Sequence, residues 1–386
     1  MKLLTVVLIL SLQSTMLYAR VYVPENETMP LVKVSQSKQL QLVRSMREQL
    51  KEQPGKLELV SEIIKQYMQL GREQADERYF SYAETLLKPY LDSKNTNVTL
   101  LIQWADILQR QHRFEEAKVV LGQVLQIDKQ NAHAHLMRSV IYQAQGDLVS
   151  AMSDCQSLLG RAEALVATTC LAQVSALRGQ LSQGIKLLEI TLERYQGQYT
   201  NKTDVIDWSR TVMAEMLVRA GKPEQALASL YKINNLSTDF YALAVISDLL
   251  IQQQRYEEVV KLTEDKKHVT KLLLRYVIAV NHLGMAKTSD VSRLKLVMKS
   301  SEKLAENPHK RMLARYYLDV ENNPVQASKV AKHNWQEQKE PDDALILVRS
   351  MKSANDKHGI EAFINNHHKV SQQDARIDSI LGQVDI

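Results

Sequence analysis

Apolar residues recur every three to four positions along most of the chain, the period of an amphipathic helix, so the pattern predicts helices and no sheet. The clearest stretch runs from Val98 to Asn131. There Leu101, Trp104, Ala105 and Leu108 form one apolar stripe, and Ala117, Leu121 and Val124 form a second. Two antiparallel helices follow from this, with the small Ala117 letting the two backbones approach where they cross.

The unit repeats. Small or β-branched residues recur in similar settings at Ala83, Ala117, Ala151, Gly184, Ala226, Val259, Ala327 and Ala362, mostly at intervals of about 34 residues. The interval from Val259 to Ala327 is double, which predicts a degenerate unit built from LLLRYVIAVNHLG and SDVSRLKLVMKSSEKL. Turn chemistry agrees with the period. Gly146, Gly179 and Gly221 fall where each first helix must stop, Asn322 holds the same place later, and Pro223 and Pro324 open second helices.

The Val98–Asn131 unit resembles the tetratricopeptide repeat. Leu101, Trp104, Ala105, Leu108, Ala117, Leu121 and Val124 stand at that family's apolar, small and aromatic positions, while Lys129 replaces the proline near its end. The resemblance implies an all-α fold, an α-α superhelix of about eight or nine helix pairs whose first helices line a concave inner face. Carrying over the inward positions makes that face the binding surface, with Asp106, Gln109, Arg110, His133, Gln143, Trp208, Glu215, Arg219, Tyr241, Asp248, Tyr316 and Asp319 as candidate contacts. Trp208, Arg219, Tyr241 and Tyr316 are the expected anchors, since aromatic and Arg side chains supply most interface energy. Trp208 and Tyr241 also suit packing between units. The carboxylate clamp of chaperone-binding members is not expected, because Ile102, Asp106 and Val140 fall near its sites.

The ends depart from the repeat. Lys2, an apolar run from Leu3 to Leu12 and Ala19 read as a secretory signal peptide over residues 1–19, the run being too short for a membrane span of about 20 residues. An uncleaved anchor is the alternative. Residues 20–37, with Pro24 and Pro30 and no helical stripe, predict a flexible arm. The solenoid is expected over 38–370, and a short capping helix over 371–386. In the first unit REQADERYF is an insertion expected to lengthen the helices or the loop, and YQGQYTNKTDV predicts a long polar loop between later units.

Composition changes this picture little. Of 386 residues 45% are hydrophobic and only 6% aromatic, with 12 Gly and 8 Pro, which favours helices and short loops. The charge of +5 is spread along the chain. Without a concentrated basic face, nucleic-acid binding is not indicated. No segment of the mature chain reads as a transmembrane span.

The search for chemistry predicts no catalytic residue, no cofactor and no metal site. Gly-rich phosphate loops, GxSxG and HExxH are missing, and neither His133 with His135 nor His367 with His368 has metal-ligand spacing. Glu115–Glu116 and Glu257–Glu258 suit the first turns of helices, where the dipole favours acids. Cys155 and Cys170 fall on neighbouring helices, either as a disulfide or as two small buried side chains. Sequons at Asn26, Asn97, Asn201 and Asn235 matter only for a eukaryotic source. The expected function is a non-enzymatic scaffold or adaptor in the cell envelope, periplasmic, holding a protein or peptide partner. An assembly chaperone for an exported enzyme is the alternative.

Overall fold

A computed structural model describes residues 38–91, 97–195, 203–303, 310–367 and 373–383. The expected signal peptide, the arm and the core of the loop near Tyr199 lie outside these residues. Over the described residues the chain forms twenty α-helices. Helix α1 (Lys38–Glu52) precedes nine pairs: α2 (Leu57–Gln74) with α3 (Arg78–Leu87), α4 (Val98–Arg110) with α5 (Phe114–Ile127), α6 (Ala132–Gln145) with α7 (Leu148–Gln156), and α8 (Ala164–Leu177) with α9 (Leu181–Tyr195). The series continues with α10 (Thr203–Arg219) and α11 (Pro223–Leu230), α12 (Phe240–Gln252) and α13 (Tyr256–Thr263), then α14 (Thr270–His282) and α15 (Thr288–Glu302). Two more pairs, α16 (Lys310–Asp319) with α17 (Pro324–Glu337) and α18 (Pro341–Ser353) with α19 (Lys357–His367), lead to a last helix, α20 (Ala375–Leu381).

The degenerate unit is α14 with α15. The insertion in the first unit is taken up by the helices, since α2 runs on to Gln74 and α3 starts at Arg78. Local signals set the boundaries. Gly146 and Gly221, at φ of 80° and 70°, end α6 and α10 in the left-handed conformation that glycine adopts without a Cβ clash. Asn131 and Asp147 cap α6 and α7, accepting from the Ala134 and Ser150 amides at 3.0 Å; such a cap contributes about 1 kcal/mol.

The core is a chain of small clusters, each shared by neighbouring pairs. Leu101, Leu108, Leu121, Val124 and Ile141 join α4, α5 and α6. Val212, Leu227, Ile246 and Leu250 do so further on, and Leu347, Phe363 and Ile377 hold α20 against the last pair. This nearest-neighbour packing defines a solenoid. In it Cys155 on α7 and Cys170 on α8 are disulfide-bonded, with Cα atoms 5.5 Å apart. Thiol counting on the unfolded, unreduced chain should therefore find no free thiol, and reduction should lower stability by about 3 kcal/mol in the chain-entropy account. Two titratable thiols would reject the bond.

The superhelix curls until distant units touch. The extended Gln338–Lys339 segment between α17 and α18 reaches the ends of α4 and α6, where the Lys339 amide donates to the Ala144 carbonyl at 2.7 Å and the Gln338 amide meets His112. Gln373, just before α20, accepts from Arg219 Nε at 3.1 Å on α10 and from the Leu181 amide at 3.2 Å on α9. These contacts between helix ends enclose the inner face as a lumen.

Candidate functional site

The lumen is lined by ionised side chains, and helical spacing puts them there. On α16, Arg311, Arg315 and Asp319 stand four residues apart and form one stripe. Arg315 pairs with Asp248 on α12 and donates to Asp319 at 3.2 Å, while Arg275 on α14 donates to the other Asp248 oxygen at 2.5 Å. Arg349 on α18 reaches Asp319 at 2.7 Å. The result is a ladder that crosses α14, α12, α16 and α18. Burial alone would raise the Asp248 pKa, but the Arg275 and Arg315 charges outweigh it and hold the carboxylate below its ordinary range.

A second group forms at the start of α18. Asp343, fully buried, accepts from Arg311 at 2.5 and 2.9 Å and from Asn334 Nδ2 at 2.6 Å, and its carboxylate also takes the Glu340 amide at 3.0 Å. Arg376 on α20 bridges Asp342 at 2.9 Å and Asp374 at 2.7 Å.

The Glu215 carboxylate differs, since its hydrogen bond comes from a hydroxyl while the Arg311 charge acts on it from a distance. Glu215 on α10 takes a hydrogen bond from the Tyr241 hydroxyl at 2.5 Å and feels the Asp342 and Glu340 charges across the lumen. Burial first, then those two charges, raise its pKa to about 7. The Glu215 charge, before burial, pushes the Tyr241 phenol well above its usual value. Because the folded state keeps a proton that the unfolded chain has released above about pH 4.5, the contribution of Glu215 to stability declines as pH rises from there through about 7. Thermal melts between pH 5 and 8 should show the native chain losing stability relative to Glu215→Gln. Parallel pH profiles would refute the assignment.

The lumen holds part of the candidate set. Asp106, Gln109, Glu215, Asp248 and Asp319 are half-buried, and Arg110, His133 and Tyr241 are exposed, Tyr241 at 48%. Arg110 pairs with Asp106 at 3.1 Å and lies over the Phe80 ring. Trp208 packs against the cluster around Val212, so it serves contact between units. Three residues expected to be open to a partner are not. Gln143 is buried and donates to Ser139 at 3.2 Å. Arg219 is buried, donating to the Ala176 carbonyl at 2.9 Å as well as to Gln373. Tyr316 is 1% exposed within the cluster of Leu273, Val277, Leu294 and Met298. On α16 the inward stripe is Arg311, Arg315 and Asp319, and a residue one step along is rotated by about 100°, which turns Tyr316 into the core.

The repeat's inward positions do not include Arg275, Arg311, Arg315, Arg349 or Asp343. The four-residue spacing of Arg311, Arg315 and Asp319 was the available signal. Among the described residues no cluster of three His, Cys, Asp or Glu side chains is placed to hold a metal ion, and no helix is long and apolar enough to cross a membrane.

These features define an all-α solenoid of tetratricopeptide-like helix pairs. No family model matches the chain, and no curated protein matches it. Among solved structures it is similar to a tetratricopeptide repeat protein from Parabacteroides merdae, at 16% identity and a TM-score of 0.36, over 74% of this chain and 98% of that one. It is also similar to human IFIT1, solved as a dimer with PPP-AAAA, at 13% identity and a TM-score of 0.42, over 86% of this chain and 88% of that one.

Proposed function

We propose that the chain is a non-enzymatic scaffold or adaptor that holds a segment of a partner protein on its inner face, and that it works in the cell envelope after export. The observation that carries the binding half is that the ends of the helices lining this face already seat another segment of the chain. The Ala144 carbonyl accepts from the Lys339 amide, Arg219 donates to the Gln373 main-chain carbonyl, and the Leu181 amide donates to the Gln373 side-chain oxygen. A surface that satisfies backbone groups of an incoming segment has what a peptide requires on leaving water. Around these points Tyr241 offers an exposed ring and Glu215 a carboxylate whose hydrogen bond comes from a hydroxyl, which leaves an oxygen for a basic side chain.

The export half is supported by Lys2 with the Leu3–Leu12 run, and by a disulfide of the kind that persists in oxidising compartments. Envelope extract passed over immobilised chain tests both. Native chain should retain a specific protein, Tyr241→Ala with Glu215→Gln should lose it, and Val149→Ser, at an exposed site on α7, should keep it. Equal retention by all three would count against the inner face. N-terminal sequencing of the native protein that begins at Met1 would count against cleavage of a signal peptide.

A further inference from the structure

The units that meet across the lumen do so through a seam unlike the rest of the molecule. On one side are the end of α6, at Ala144 and Gly146, and the ends of α8 and α10, at Ala176 and Arg219, with Leu181 opening α9. On the other are Gln338–Lys339 and the start of α20. The side chain of Lys339 lies against Gly146, and Ala375 lies against Gly221, so two helix-ending glycines double as the docking points. The apolar clusters described above run through successive pairs, as do the Arg311–Asp343 and Arg376–Asp342 ion pairs, while Arg315–Asp248 skips one pair, from α16 to α12. The seam itself is built from hydrogen bonds, with Glu340 and Asp342 facing the like-charged Glu215. Those hydrogen bonds exchange readily with water, and parting the seam further exposes Phe114, Val140 and Ile141, which line a small cleft with Gln338 and Glu340.

We propose that α18 and α20 with their flanking segments act as an autoinhibitory strap: Gln338–Lys339 and Gln373–Ala375 hold the rim of the inner face, at the ends of its helices, in cis, and the seam must part before a partner segment enters. The proposal rests on the inner face being the binding surface. Ile377 keeps α20 on α18 when the seam opens, so the C-terminal pairs swing as one body and no core is broken.

A cleft of about 600 Å³ between α9, α10 and α20 allows a direct test, because Lys186 and Asp378 line it from opposite sides. Spin labels on full-length chain carrying Lys186→Cys and Asp378→Cys should report one short distance. Adding Ala375→Arg, a large group on an exposed residue facing Gly221, or Arg219→Met, which removes the donor to the Gln373 main-chain carbonyl, should move most molecules to a longer distance with an unchanged circular-dichroism spectrum. A labelled synthetic peptide of residues 373–383 should then bind the Ala375→Arg chain at least tenfold more tightly than the native chain. A long distance already in the native chain, or a short one in both variants, overturns the strap while leaving the inner face as a binding surface to the capture experiment. Longer distances with equal or no peptide binding show a seam that opens without gating the face, and overturn the proposal as well.

Discussion

Tyr316→Ala is expected to lower the stability of the folded chain by about 3–5 kcal/mol, the usual loss for truncating a buried aromatic side chain to alanine. The ring is 1% exposed between α14, α15 and α16, where Leu273, Val277, Leu294 and Met298 surround it, and its hydroxyl meets Glu321. Truncation leaves a cavity between two units and removes one partner of that carboxylate, which Lys295 also meets. Tyr241→Ala is the contrast. Its ring is 48% exposed and its main contact is the Glu215 carboxylate, so stability should change far less. Urea unfolding of both variants decides the matter, and similar midpoints for the two would mean that the burial of Tyr316 is not as described.

The other large effect is expected at Asp343. Asp343→Ala removes the acceptor of both Arg311 bonds, of Asn334 and of the Glu340 amide, and leaves a guanidinium in the lumen without its main counter-charge. Breaking a buried pair from one side costs about 3–5 kcal/mol, whereas replacing both partners with apolar groups is often neutral. Arg311→Met with Asp343→Leu should therefore recover much of the loss caused by Asp343→Ala. Glu340, which also meets Arg311, keeps some charge balance in the single variant and sets its loss toward the lower end. A double variant no more stable than Asp343→Ala would show that the pair is not the source of the loss.

Much of the architecture was legible because it is local. The 34-residue period, the glycines and asparagine at positive φ, and the prolines opening α11 and α17 all act within one helix pair. The degenerate α14–α15 unit was legible too, from an interval of twice the period. The site was less so. Arg219 has the character of a peptide anchor in its own unit, but Gln373, 154 residues away, occupies it. Tyr316 was misplaced by one residue of register, enough on a helix to exchange lumen for core. Gln338 and His112 are 226 residues apart, and no local pattern announces that they meet. How tightly the superhelix winds depends on a small rotation added at each pair, and no single pair encodes the total.

The same pairwise construction makes the molecule a spring. Its stiffness is set by the contacts between successive pairs, and load applied to it passes from pair to pair in series except where the seam from α4, α6 and α10 to the C-terminal units carries part of it. One link differs. The bond between Cys155 and Cys170 ties α7 to α8, and covalent attachment at that joint stiffens it relative to joints held by side-chain packing alone. Bending therefore concentrates on either side of the link, in the pairs toward α4 and in the run from α10 to α16, and a reducing environment would return that joint to the compliance of its neighbours.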